Sequence, residues 1–166
     1  MLEAYAMLLK SEQDEPRWLS EGLAVFLSEY YVPRLRREGK LDRASDRGKV
    51  APNEVPLLWG FMMDKWHEIQ DFKKKEPTLT LENSGESTFA RAPYMFGAWA
   101  IQYLKQEKGM EVFLNEFYPA IRDLGWEAAF KQTFGRTVDQ FYREFDRFLN
   151  KSDDEIINFL FDGLSE

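Results

Sequence analysis

The sequence predicts an all-α (mostly helical) chain, a helical bundle with at most one short hairpin or strand. Three observations predict it. Apolar residues recur at three- and four-residue spacing along most of the chain. Polar stretches punctuated by Gly and Pro separate those segments. Capping signatures stand before the last two segments.

Residues 2–11 read as a short helix with Leu2, Ala6 and Leu9 on one side. Gln13 to Glu15 form a polar break, and Pro16 suits a first helical turn. An amphipathic helix then runs to about Glu38. Trp18, Gly22, Phe26 and Tyr30 recur every four residues beside Leu19, Leu23 and Leu27. Glu21 lies just outside that apolar arc. Glu29 falls inside it and calls for water or an Arg at a helix end. Gly39 to Asn53 reads as a loop, and Val55 to Lys75 as a helix with Leu58, Phe61, Met62, Trp66 and Ile69 inward. Residues 76–90 are irregular, although Thr78 to Leu81 alternates like a short strand.

Helical periodicity resumes at Pro93 to Lys108, which ends at Gly109, a residue suited to helix termination. Met110 to Asp123 follows, then Trp126 to Phe134 stopped by Gly135. Thr137 is placed to cap Val138 to Asn150. Ser152-Asp153-Asp154-Glu155 forms a capping-box sequence for a last helix through Leu160.

Composition narrows the function classes. Apolar residues make up 44% and aromatic residues 16% of 166 residues, which suits one domain with a packed core. The formal net charge of -7 disfavours a phosphate backbone, so nucleic acid is not an expected partner. A local cluster of Arg34, Arg36, Arg37, Lys40 and Arg43 reads as a solvated helix end. The absence of cysteine rules out disulfides and thiolate metal sites. The first ten residues lack the basic start, long apolar run and cleavage site of a signal peptide. No run of about 18 apolar residues suggests a membrane span. Neither a phosphate loop nor a nucleophile elbow occurs.

The stretch Trp18-Leu19-Ser20-Glu21-Gly22-Leu23-Ala24 carries the sharpest signal. It resembles the second zinc-binding helix of gluzincin-type metallopeptidases, the peptidase MA-like group. Tyr94-Met95-Phe96-Gly97-Ala98-Trp99 with Tyr103-Leu104 resembles that family's Y-x-x-G helix. Gly109 to Phe117, Gly125 to Phe130, and Phe134 to Thr137 with Phe141 are similar to its C-terminal helices. The resemblance covers roughly residues 1–150. It implies a single domain: a zinc-site-like helix pair over 1–38, a loop plus helix over 39–90, and C-terminal helices over 91–166.

In the family, an earlier H-E-x-x-H helix supplies two zinc ligands and a general base, and the glutamate of the later motif is the third ligand. The resemblance therefore places Glu21 at the metal position. It places Leu2-Glu3-Ala4-Tyr5-Ala6 where H-E-x-x-H belongs, with Glu3 at the general-base position and Leu2 and Ala6 in place of both histidines. Tyr94 falls where a hydroxyl steadies an oxyanion, or it is a core tyrosine with a hydrogen-bonded tip. Three readings stand for Glu21: a former ligand now paired with Arg or water, an ordinary helix glutamate, or a surviving metal contact. If its site is sealed and apolar, burial raises its pKa. Glu3 otherwise reads as a first-turn glutamate. His67, the lone histidine, reads as an ordinary helix residue.

The expectation is a metallopeptidase-like domain, catalytically degenerate or truncated, with no cofactor as written and zinc only in the resembled family. Peptide or protein is the expected partner class. The alternative is a helical protein-interaction module whose aromatic faces (Trp59, Phe61, Trp66, Trp99) form a groove or self-association surface. An internal start at Met1, with a sheet and leader upstream, is a further reading. Export is implied by the resemblance only.

Overall fold

The computed structural model describes residues 15–39 and 54–162. The chain is all-α, and no strand occurs among the described residues. Helix α1 (Arg17–Phe26) runs through a π-helical stretch, Leu27–Tyr31, into α2 (Val32–Arg37). Then come α3 (Glu54–Lys75), a 3-10 turn at Ser84–Glu86, α4 (Ala92–Val112) and a second π stretch, Phe113–Phe117. The fold closes with α5 (Tyr118–Leu124), α6 (Trp126–Phe134), α7 (Val138–Phe148) and α8 (Asp153–Asp162). The expected helix over 2–11 and most of the expected 39–53 loop lie outside the described residues, as do Glu3 and the side chains of Tyr30, Leu58 and Trp59.

Pro16 sits just ahead of α1 in an extended conformation, not within its first turn, and its carbonyl accepts from Leu19 N–H at 2.9 Å. Trp18, Leu19, Gly22, Leu23 and Phe26 are all buried, as the periodicity predicts. Glu29 departs from the stripe. It falls in the π stretch, where a widened turn rotates the following residues relative to an α-helix. Its carboxylate is 55% exposed and meets Lys65 Nζ at 3.1 Å, so its partner is a lysine, not an arginine. Both π stretches end two residues before a proline, Pro33 and Pro119. Proline lacks an N–H and its ring crowds the carbonyl four residues back, which an undisturbed α-turn does not tolerate.

Thr78 to Leu81 is not a strand. Leu79 and Leu81 do point into the core, which accounts for the alternation. With no neighbouring strand, the backbone turns instead: Thr80 N–H donates to Asn83 Oδ1 at 2.7 Å, and Asn83 Nδ2 donates to the Thr78 carbonyl at 3.0 Å. Gly109 ends the regular part of α4 at φ 80°. Gly135 ends α6 in the left-handed region, where glycine carries no Cβ penalty. Thr137 caps α7 in a reciprocal capping box with Gln140 (3.2 and 2.8 Å). Ser152 and Glu155 do the same for α8.

The core is aromatic and runs through the whole bundle. Trp18 meets Trp126 edge-on at 5.8 Å and lies 5.9 Å from Phe141. Trp66 and Trp99 meet at 5.5 Å, and both lie near Phe148. Their polar tips are satisfied: Trp99 Nε1 donates to the Met62 carbonyl at 3.0 Å, and Trp66 Nε1 to Asp153 Oδ1 at 2.8 Å. Trp66 and Trp99 are fully buried and Phe61 is packed against the core, so the expected aromatic face is not assembled from them. Each large ring removed from water contributes on the order of 2–3 kcal/mol.

Candidate functional site

The two motifs singled out in the sequence meet in space. Helices α1 and α4 cross where Gly22 faces Gly97. A Cβ on Gly97 would stand 2.1 Å from the Trp18 carbonyl oxygen. Only two residues without side chains permit that approach, so the glycine of each motif is a packing residue. The crossing sets Glu21 immediately before the contact on α1, and Tyr94 one turn before it on α4.

Glu21 points along its own helix. Its Oε1 lies 3.6 Å from Arg17 Nε, one turn earlier, and its side chain is 29% exposed. The site is therefore half-open rather than sealed. Tyr94 packs its ring against the core edge, and its hydroxyl has no hydrogen-bond partner among the described residues. No hydrogen bond joins Glu21 to Tyr94. His67 sits elsewhere, on α3, 61% exposed and 3.6 Å from Asp153 Oδ2. Among the described residues, no group of three or more His, Cys, Asp or Glu side chains is placed to hold a metal ion. No described helix is long and apolar enough to cross a membrane.

Around the crossing, hydroxyls are held by burial. The Tyr142 hydroxyl accepts from Trp18 Nε1 at 3.1 Å, and desolvation pushes its pKa up to about 12. Burial and the nearby Glu15 carboxylate raise Tyr118 well above the ordinary phenol range, and its O–H donates to Glu15 Oε2 at 3.3 Å. Both phenols are therefore neutral at physiological pH, and they act as structural ties.

A second feature went unmarked in the sequence. A cleft of about 540 Å³, open on one side, lies between α4, α7 and α8. Tyr103, Phe148 and Phe159 line it, with Phe148 and Phe159 rings 4.8 Å apart and Tyr103 stacked on Phe159 at 5.8 Å. Gln106 also faces it. Its Nε2 donates to the Phe159 carbonyl, and its buried Oε1 has no partner. Three separate elements build this cleft, so no local motif announces it.

No family model, no curated protein and no solved structure matches this chain.

Proposed function

We propose that this chain is a catalytically silent, metallopeptidase-like helical domain, in which the position that resembles a zinc ligand, Glu21, serves as an ion-pair partner of Arg17. The observation that carries the reading is the set of neighbours of Glu21: a guanidinium one turn away and no imidazole. A hydrolytic zinc needs about three protein ligands and an open position for water. The whole sequence holds one histidine and no cysteine, and that histidine is turned toward Asp153 on α8. The residues present do not fit the ion, so no hydrolytic step is derived through it. The paired glycines at 22 and 97 bring the two motifs together at one helix crossing.

A peptidase assay tests this reading. The full chain, incubated with zinc and a quenched-fluorescence peptide library, is expected to release no signal above buffer. Zinc-dependent cleavage that disappears in Glu21→Ala would overturn it.

A further inference from the structure

The cleft between α4, α7 and α8 combines an apolar floor, two exposed rim cations and one buried acceptor without a partner. Glu107 and Glu144 are already engaged. Arg136 Nη2 holds both oxygens of Glu107 at 2.8 Å, and its Nε lies 3.0 Å from Glu144 Oε2. That leaves the exposed cations at the rim. Arg147 spends only its Nε, on the Arg143 carbonyl at 3.3 Å, and Lys151 Nζ is 3.9 Å from Glu155 Oε1. Among the lining side chains, Arg147 and Lys151 stand beside Glu107 and Glu144, whose carboxylates Arg136 pairs.

Arg147, Lys151 and the Tyr103 hydroxyl supply donors. Burial raises the Tyr103 phenol above its ordinary value, which keeps its proton in place. The one buried acceptor without a partner among the lining side chains is Gln106 Oε1. Its orientation is fixed because the amide nitrogen is committed to the Phe159 carbonyl. A buried acceptor left without a partner is costly, and an N–H from a ligand satisfies it.

We propose that this cleft binds the carboxylate end of an N-acylated apolar residue. The carboxylate meets Arg147 and Lys151, the neighbouring N–H donates to Gln106 Oε1, and the apolar side chain lies on Tyr103, Phe148 and Phe159. Guanidinium–carboxylate pairing is favoured by its matched fork geometry. A phosphate offers no N–H and leaves the aromatic floor uncovered. The same chemistry occurs at the carboxy-terminus of a peptide and in a free N-acyl amino acid. The site shares no residue with the Glu21 region, so it stands independently of the reading above.

Titration of the full chain with N-acetyl-phenylalanine, followed by amide chemical shifts, tests the proposal. Saturable shifts are expected at residues of α4, α7 and α8, with a dissociation constant no weaker than about 10 mM. N-acetyl-phenylalaninamide, which lacks the carboxylate, and N-acetyl-N-methylphenylalanine, which lacks the N–H, are each expected to bind at least about tenfold more weakly. The double variant Arg147→Gln, Lys151→Gln is expected to lose about tenfold or more while keeping its circular dichroism, because both side chains are exposed. A hexapeptide ending in Phe identifies the source: tighter binding than the single residue assigns a peptide terminus, and equal binding assigns the free N-acyl amino acid. No saturation by either acid, equal binding of the amide, or undiminished binding by the double variant would overturn the proposal.

Discussion

Gly22 and Gly97 meet backbone to backbone, so that a Cβ on Gly22 would fall 2.2 Å from the Gly97 carbonyl carbon. Neither partner has a flexible end that can yield, because every atom in the way belongs to the main chain. The two helices that bear the motifs are therefore locked at one spacing by two absent side chains. One turn before Gly22, Trp18 packs against Trp126 and Tyr142.

Substituting either glycine separates the helices. Gly22→Ala and Gly97→Ala are each expected to lower unfolding stability by about 3 kcal/mol or more, at the upper end of overpacking effects. Gly60 on α3 supplies the control: no described atom lies within 4 Å of its built Cβ. Gly60→Ala is expected to leave stability unchanged or raise it by up to about 1 kcal/mol, since alanine favours a helix interior. Chemical denaturation of the three variants decides between packing and propensity. Equal effects at all three positions contradict the packing role.

Tyr142 makes stability depend on alkaline pH. Burial lifts its phenol to about 12, above the value near 10 of an unfolded tyrosine. The unfolded chain then releases this proton first. The stabilising contribution is complete below pH 10 and is lost as pH rises toward 12. Tyr142→Phe leaves Trp18 Nε1 without its acceptor and is expected to cost about 1–2 kcal/mol at pH 8. The gap between the two proteins is expected to narrow between pH 10 and 12. Denaturation curves at pH 8, 10 and 11 check it, and a constant gap rules the linkage out.

Thr137 holds the entry to α7 through its bond with the Gln140 N–H. Thr137→Ala is expected to cost about 1 kcal/mol, and Thr137→Ser close to nothing. Thermal melts of both variants make the comparison. A loss in the serine variant equal to that in alanine would show that the methyl group, not the hydroxyl, matters.

Much of the bundle is legible in the sequence because its signals are local. Thr137 and Ser152 precede their helices by the capping rule, and Gly109 and Gly135 stand where the chain needs positive φ. The buried stripe of α1 follows directly from its period. What escapes is set by distant contacts. The π turns look like ordinary helix, although Glu29 in the apolar arc and the prolines at 33 and 119 mark their positions. Leu79 and Leu81 alternate because both reach the core, but a strand also needs a neighbour, and Asn83 takes that role. Of the candidate site, Glu21 was legible as an anomaly, and an arginine partner was among its readings. The Gly22–Gly97 crossing and the cleft behind Tyr103 were not, since each joins residues more than 40 positions apart.

Zinc calorimetry on the full chain reaches the central claim most directly. A glutamate paired with Arg17 and lacking imidazole neighbours is expected to give no zinc binding tighter than about 0.1 mM, where a hydrolytic site needs far more. The Glu21→Ala titration is expected to match the unsubstituted chain, with stability changed by less than about 1 kcal/mol. Submicromolar zinc binding that vanishes in Glu21→Ala would contradict it.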